Sequence, residues 1–283
     1  MNISMGLLIV SLFILSWLIT RRLVIFLRKK GMMDVPNARS SHQVATPRGG
    51  GLAVFFCLMI GFFVLVLFFP AVPVPGILFF VGLIILAFTS LVDDKYDLPA
   101  YLRFFLHGIA AALVIYETGG LERFPLPAPL DFELGFIGYI LSFIWIIAVL
   151  NIYNFLDGID GYAGLQAVLA GLGIALFDAD GVGLGVGLLV MASTGGFLIH
   201  NWSPAKIFMG DIGSISLGFI FAASPFYFTG PSHHYGVFAV IIFLWFFLAD
   251  GAFTIVKRIF KGEKIWEAHR SHLYQQLVIA GLS

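Results

Sequence analysis

Charged residues are scarce in this chain of 283 residues, and long apolar runs take their place. Charged side chains make up 11% of the sequence, hydrophobic ones make up 60%, and 16 basic residues balance 16 acidic ones. Because the formal net charge is zero, the chain has no overall positive field of the kind that attracts nucleic acid, so we expect no nucleic-acid partner. The composition is also too apolar for a water-soluble domain of this length, which indicates a membrane protein.

Cysteine is nearly missing as well. Because Cys57 is the only one, an intramolecular disulfide is excluded. Its position within an apolar run predicts a small buried side chain rather than a reactive thiol. The first apolar stretch has no basic residue before it and is followed by Arg21 and Arg22, the reverse of the order in a cleaved signal peptide. We therefore expect this stretch to remain as the first membrane helix.

Apolar runs recur along the chain at the length needed to cross a membrane. A helix needs about 20 apolar residues to cross the hydrocarbon core. The sequence therefore predicts an all-α fold: a polytopic transmembrane helical bundle of about nine to ten membrane helices, forming one integral membrane domain over 1–283. Residues 273–283 begin a further apolar segment that is too short to cross, so we expect the last helix to be truncated. The predicted helices lie near 4–27, 50–69, 76–92, 102–118, 134–153, 162–177, 183–200, 212–228 and 235–256.

Basic residues are distributed unevenly between the predicted loops. Alternate loops contain 15 of the 16 Lys and Arg residues, and Arg123 alone falls in the other set. The positive-inside rule then places the basic set in the cytoplasm and the N-terminus outside. The predicted cytoplasmic segments are 21–48, 93–103, 151–161, 200–211 and 257–272. The polar motifs considered next all lie in or beside these segments.

Two acidic motifs follow predicted helices. Asp93 and Asp94 are adjacent, and such a pair either shares a cation or has one raised pKa, so that one member can act as a base. An ordinary solvated helix end is the alternative. The second motif places amide or carboxylate side chains three residues apart, at Asn151, Asn154, Asp157 and Asp160. On a helix such neighbours touch, and their oxygens are the ligands that Mg²⁺ prefers, although turn formation predicts the same residue types.

Glycine-flanked motifs come before two further predicted helices. Asp211 lies between glycines at the start of an apolar helix, where it is either a helix cap or part of a site for an anion such as a diphosphate. Arg48 precedes three glycines that could cradle a phosphate, but the Gly-Lys-Ser/Thr ending of a P-loop is missing. A flexible hinge remains the alternative for this glycine run.

Histidines and one intramembrane acid complete the polar set. His269, Arg270 and His272 combine two imidazoles with a guanidinium, which can bind phosphate, bind metal or move protons. The basic residues before them are typical of topology signals and of contacts with anionic lipids. Asp250 lies inside the ninth predicted helix, where an acid usually faces the bundle interior. It either pairs with another polar group or shapes the site from behind.

Taken together and in this order, the motifs resemble those of the polyprenyl-phosphate N-acetylhexosamine-1-phosphate transferase family. The resemblance covers about Asp34 to His272 and rests on Thr-Pro-Arg-Gly-Gly-Gly, Asp-Asp-Lys-Tyr-Asp, Asn-x-x-Asn-x-x-Asp-Gly-x-Asp-Gly, Phe-x-Gly-Asp-x-Gly-Ser and His-Arg-Ser-His. The last motif, continued by Leu-Tyr-Gln, is similar to the branch that starts O-antigen of lipopolysaccharide or other bacterial surface glycans.

The resemblance implies an enzyme of the bacterial cytoplasmic (inner) membrane with a cytoplasmic active site. Its implied reaction transfers an N-acetylhexosamine-1-phosphate from a UDP-sugar, such as UDP-N-acetylglucosamine, to undecaprenyl phosphate and releases UMP. It implies Mg²⁺ as cofactor, with Mn²⁺ as the alternative, and membrane lipids as neighbours; it leaves a homodimer open. The main competing interpretation from the sequence is a multi-pass lipid or proton-coupled transporter, which would require Asp250 rather than Asp93, Asp94 and Asp211.

The resemblance also implies roles for individual residues. The implied metal ligands are Asn154 and Asp211. The implied catalytic residues are Asp93 and Asp94 for the lipid phosphate, Asp157 and Asp160 for the nucleotide or metal, and His269 and His272 for the diphosphate or sugar. The implied substrate-binding residues are Arg48, Lys95, Asn151 and Arg270. Some relatives carry a basic residue several positions beyond the paired aspartates, whereas here Lys95 follows at once.

Overall fold

The computed structural model describes residues 3–36, 44–124, 126, 129–263 and 272–281 of the chain. Nearly all its regular structure is α-helical, which agrees with the predicted all-α class. The helices are α1 (Ile3–Lys30), α2 (Gly51–Phe68), α3 (Ile77–Tyr96), α4 (Ala100–Thr118), α5 (Phe136–Phe155), α6 (Tyr162–Phe177), α7 (Val182–Asn201), α8 (Asp211–Ala223), α9 (Pro231–Phe243), α10 (Trp245–Phe260) and α11 (Leu273–Ile279). One short antiparallel pair, β1 (Met33–Asp34) with β2 (Thr46–Pro47), precedes α2.

Several of these helices are long and apolar enough to cross a membrane. Within the described ranges six helices meet that condition, namely α1 to α5 and α7, and the bent pair α9 and α10 would make a seventh. The remaining candidates are shorter, as α6 has 16 residues and α8 has 13. The chain is therefore a polytopic helical membrane protein, while the count of nine to ten crossings stays a prediction.

The ninth predicted helix, a continuous one over 235–256, was wrong. The helix is interrupted at Leu244, and the two resulting helices, α9 and α10, are bent by 75° relative to each other. Neither proline nor glycine marks this position in the sequence, so local pattern did not reveal it. The side-chain amide of Gln166 donates to the carbonyl oxygen of Phe243 at 2.6 Å, and thereby satisfies a backbone acceptor at the break.

Helix α7 lies at the centre of the bundle and packs against α1, α2 and α6. Glycines make these approaches close: a Cβ atom on Gly187 would meet the backbone of Gly171 in α6, and one on Gly196 would meet the backbone of Phe13 in α1. Small residues at helix contacts are typical of membrane bundles, because lipid supplies no hydrophobic force between helices. The same packing leaves Cys57 buried, as its sequence position predicted.

Helix α8 is enclosed by α2, α3 and α5, and every residue from Ile212 to Ala223 is buried. A single turn of 3-10 helix, Ser224–Tyr227, extends it where the sequence predicted more α-helix. Because three other helices surround α8, its first residue, Asp211, lies where their ends also come together.

Candidate active site

The N-terminal ends of α2 and α8 are in direct contact. A Cβ atom on Gly213 would lie 2.7 Å from the Cα atom of Gly51, so only glycine permits this approach. The backbone N–H groups of Gly50 and Gly51 also donate to the carbonyl oxygens of Phe208 and Met209, each at 2.8 Å. The structure thus favours close packing over a flexible hinge for the glycine run.

Arg48 lies between two of the predicted carboxylates. Its Nη2 atom is 2.5 Å from Oδ1 of Asp211 and 3.6 Å from Oδ1 of Asp94. Burial lowers the pKa of the guanidinium, but the charges of Asp211 and Asp94 more than offset this, so the pKa of Arg48 lies above its ordinary value. Since both acids contact the same nitrogen, residues from α3, from α8 and from the segment just before α2 form one charged centre.

Asn154 joins this centre from the end of α5. The Ser214 hydroxyl donates to Oδ1 of Asn154 at 2.6 Å, and Ser214 is in the first turn of α8, three residues after Asp211. Asn151 differs, since its amide donates at 2.7 Å to the carbonyl oxygen of Ile147 in its own helix. The structure therefore links Asn154 to Asp211 and shows Asn151 bonded within α5.

The other two members of the three-residue spacing leave the helix. Because α5 ends at Phe155, Asp157 and Asp160 lie in the following loop, and the spacing does not form one helical face. Burial raises the pKa of Asp157 to about 7; nearby Arg48 lowers it and Asp211 raises it. Asp160 accepts a hydrogen bond from the backbone N–H of Ala205 at 2.8 Å. Asp157 can therefore carry a proton near neutral pH, whereas Asp160 ties the loop to the segment after α7.

The paired aspartates have different surroundings. The Asp93 side chain is 7% exposed; its Oδ2 atom is 2.9 Å from Nη1 of Arg103, and its Oδ1 accepts from the N–H of Leu98 at 2.7 Å. The Asp94 side chain is 31% exposed and faces Arg48. The two carboxylates thus pair with different arginines. Arg103, which sequence reasoning missed, follows Asp93 by ten residues in the same predicted cytoplasmic segment.

His272 is buried beside Asp250, with its Nδ1 atom 3.2 Å from Oδ1 of that acid. Next to it, the Tyr274 hydroxyl donates to the carbonyl oxygen of Phe155 at 3.3 Å, and a Cβ atom on Gly158 would collide with this hydroxyl. The C-terminal segment therefore packs on the loop that carries Asp157. Sequence reasoning singled out neither Tyr274 nor Ser214, because it looked for charged and amide groups.

Three predicted residues cannot be placed. His269, Arg270 and the side chain of Lys95 lie outside the described residues. Within the part of the chain that is described, no group of three or more His, Cys, Asp or Glu side chains could hold a metal ion by itself. Any divalent cation at the charged centre would therefore need ligands of other kinds as well.

Fold and site define a multi-pass membrane protein that brings carboxylate, amide and guanidinium groups from several helix ends to one place. The model of glycosyl transferase family 4 matches residues 76–229. The chain belongs to this family, and more specifically to the polyprenyl-phosphate N-acetylhexosamine-1-phosphate transferases, so the resemblance found in its motifs is confirmed.

Three relatives illustrate the match. The chain is 34% identical over 263 residues to the probable undecaprenyl-phosphate N-acetylglucosaminyl 1-phosphate transferase of Bacillus subtilis (strain 168), covering 90% of this chain and 72% of the relative. It is 30% identical to the decaprenyl-phosphate N-acetylglucosaminephosphotransferase of Mycobacterium leprae (strain TN), over 88% of this chain and 70% of the relative. It is 27% identical to the undecaprenyl-phosphate alpha-N-acetylglucosaminyl 1-phosphate transferase of Yersinia pestis, over 100% of this chain and 79% of the relative.

Proposed function

We propose that the chain transfers an N-acetylhexosamine-1-phosphate, such as N-acetylglucosamine-1-phosphate, from a UDP-sugar to undecaprenyl phosphate or another polyprenyl phosphate, and releases UMP. The observation that carries the proposal is the network of Asp94, Arg48, Asp211, Ser214 and Asn154, which joins the ends of three helices to the segment before α2. The substrates come from the names of the relatives, each of which is a transferase acting on a polyprenyl phosphate. This support favours the transferase over the transporter alternative.

The reaction would take place on the cytoplasmic side of the bacterial inner membrane, with the N-terminus outside and nine to ten crossings. The uneven distribution of basic residues supports this orientation, since the acidic motifs lie in the set of loops that holds 15 of the 16 Lys and Arg residues. The product would begin a lipid-linked surface glycan such as O-antigen. The support for that pathway is the similarity of the C-terminal histidine motif to the branch that starts such glycans.

Mg²⁺ fits the donors present at the charged centre. The Asp211 carboxylate already faces a cation, the Arg48 guanidinium, and the Asn154 amide oxygen reaches the same turn of α8. Mg²⁺ is usually held by one or two carboxylates plus substrate phosphates rather than by a complete protein cage. Asp211 and Asn154 would therefore hold Mg²⁺ together with the donor diphosphate. When bound, Mg²⁺ would neutralise charge on the diphosphate and so let an anionic acceptor approach.

The chain's own residues would bind and orient the two anions. Arg48 presents a planar fork of N–H groups that suits phosphate oxygens, so we expect it to exchange its carboxylate partners for the donor diphosphate. Asp94 borders the same space and would position the lipid phosphate, while Asp93 is held by Arg103 and would keep the end of α3 in place. Asp157 can accept the proton of a singly protonated lipid phosphate, because its pKa is about 7.

Transfer would be direct. A phosphate monoester has a second pKa near 6, so it is already nucleophilic at neutral pH and needs positioning more than activation. An oxygen of the lipid phosphate forms a bond to the sugar-bearing phosphorus of the donor, and the bond from that phosphorus to the oxygen of UMP breaks. The electron pair leaves with UMP, and the lipid carries a sugar diphosphate.

The decisive experiment uses the purified chain with undecaprenyl phosphate and a panel of UDP-sugars, in Mg²⁺, Mn²⁺ or EDTA. We expect UMP and a lipid-linked sugar diphosphate with at least one UDP-N-acetylhexosamine, and loss of both products in EDTA. The panel would identify the sugar. Folded protein that releases no UMP with any donor would overturn the proposed function, and full activity in EDTA would overturn the metal requirement.

A further inference from the structure

Asp250 is a buried carboxylate that the proposed chemistry does not use. It lies in α10, in the bent pair of helices, and its side chain is 7% exposed. A carboxylate inside an apolar helix is costly unless hydrogen bonds compensate for the loss of water. Its neighbours therefore show what the carboxylate does.

Four donors surround the Asp250 carboxylate. Its Oδ1 atom accepts from the Thr254 hydroxyl at 3.1 Å, from Nδ1 of His272 at 3.2 Å and from the N–H of Leu273 at 2.8 Å. Its Oδ2 atom accepts from the N–H of Tyr274 at 3.0 Å. Three of the four donors belong to one segment, 272–274, where α11 begins. Asp250 thus attaches the end of the histidine motif to α10.

The position of Asp250 is itself fixed relative to the charged centre. At the next residue, a Cβ atom on Gly251 would lie 2.6 Å from Cγ2 of Ile152, so α10 touches α5 two residues before Asn154. On the other side, the Tyr274 hydroxyl reaches the carbonyl oxygen of Phe155. The segment with His272 is thus held between α10 and the end of α5.

We propose that Asp250 is a positioning residue that acts through His272. A carboxylate can only accept hydrogen bonds from N–H groups, so Nδ1 of His272 carries the proton in this pair. Nδ1 is committed to Asp250, and any contact of His272 with a substrate is made by Nε2. Asp250 therefore sets both the place and the tautomer of the imidazole. The inference rests on the proposed function, because the substrate role of His272 belongs to it.

A double-mutant cycle tests this role. Asp250→Ala should lower kcat by roughly 10- to 100-fold, the loss typical when a functional histidine loses its carboxylate partner. If Asp250 acts through His272, the same change made in a His272→Ala background should lower kcat by less than about twofold further. A role in overall stability alone would instead give independent effects that multiply. If the alanine variant does not fold, Asp250→Asn, which keeps the side-chain volume, replaces it in the cycle.

Amide hydrogen–deuterium exchange tests the attachment without relying on activity. The amides of Leu273 and Tyr274 should exchange about tenfold faster in Asp250→Ala, because both donate to the missing carboxylate. Glu117→Gln is the matched control. Glu117 is also a partly buried acid that accepts a helix-end N–H, and it lies about 20 Å from Arg103 along α4. This control should leave kcat and the exchange of 272–281 unchanged.

The outcomes separate the two proposals. If the wild type releases UMP while Asp250→Ala leaves kcat unchanged, or the two single effects multiply in the double variant, the positioning role is overturned and the proposed function stands. If the wild type releases no UMP but exchange accelerates as expected, the proposed function is overturned and the attachment of His272 by Asp250 stands. Unchanged exchange in Asp250→Ala would overturn the attachment itself.

Discussion

Glu117 and the two acids beside Arg48 lie at opposite ends of the helix bundle and have different kinds of partner. At the end opposite the site, Glu117 accepts from the Leu78 N–H at 3.0 Å and from the Tyr227 hydroxyl at 2.6 Å, both neutral donors of the surrounding fold. At the site end, Arg48 is shared by two acids that come from different helices. Neutral donors built into the fold keep an acid in a structural role. A shared arginine can change partners, which is what binding an anionic substrate requires.

Replacing Asp211 by Asn would break this contrast most strongly. The change removes a charge that faces Arg48 and would face Mg²⁺, so we expect Mg²⁺-dependent UMP release to fall by about 100-fold or more, with expression intact. Glu117→Gln makes the same chemical change at the opposite end and should keep activity within about twofold of wild type. Turnover by Asp211→Asn at the wild-type rate would remove Asp211 from the metal role.

Replacing Gly51 by Ala tests the contact that brings Arg48 and Asp211 together. The added methyl group would press on the backbone of Gly213, where no side chain can turn away, so we expect a loss of about 1–3 kcal/mol in the free energy of unfolding together with reduced UMP release. In the control Gly108→Ala, the new Cβ would meet only the ring of Phe143, at 3.3 Å. Thermal unfolding in detergent compares the two variants. Equal stability would contradict the steric account.

Removing an arginine at each end sharpens the comparison further. Arg103→Ala leaves the buried Asp93 carboxylate without its charged partner, so we expect a loss of about 1–2 kcal/mol, limited by the partial exposure of Arg103. Arg123→Ala breaks exposed pairs with Asp131 and Glu133 and should cost less than about 1 kcal/mol. Thermal unfolding of both variants measures the two losses. A larger loss in Arg123→Ala would show that burial of Asp93 does not matter in this way.

The smallest predicted effect concerns Asp157 and depends on pH. Burial raises its folded-state pKa to about 7, above the ordinary carboxyl value of about 4. Its contribution to stability is therefore fully present below about pH 4 and is lost as the pH rises through 7. Asn has no proton to lose, so Asp157→Asn should unfold at a higher temperature than wild type at pH 8 and show little gain at pH 4. Both proteins are measured in EDTA, so that no divalent cation is present. If the gain in unfolding temperature of Asp157→Asn over wild type is not larger at pH 8 than at pH 4, a raised pKa of Asp157 is contradicted.

Much of the helical framework could be read from the sequence. Apolar runs predicted a helix for each of α1 to α8, and the bounds of α6 agree at both ends. This works because a chain in lipid must satisfy its backbone groups within each helix, so length and apolarity alone indicate a helix. The break at Leu244 was not predicted because Gln166, which satisfies the backbone acceptor at the break, belongs to another helix.

The candidate site could likewise be predicted only in part from the sequence. Residue types and order alone determined that acids, amides, an arginine and histidines occur in loops of one predicted face, and which family the chain belongs to. Only the tertiary structure decided which of these groups pair. Arg48 pairs with Asp211, 163 positions away, and Asp93 pairs with Arg103. Asp250 holds His272. The physical reason is the distance along the chain over which the two kinds of interaction act. Helix formation depends on neighbours in the chain, whereas these pairings depend on which helices pack together, and a glycine contact such as Gly51 with Gly213 acts only after folding has brought both ends to the same place.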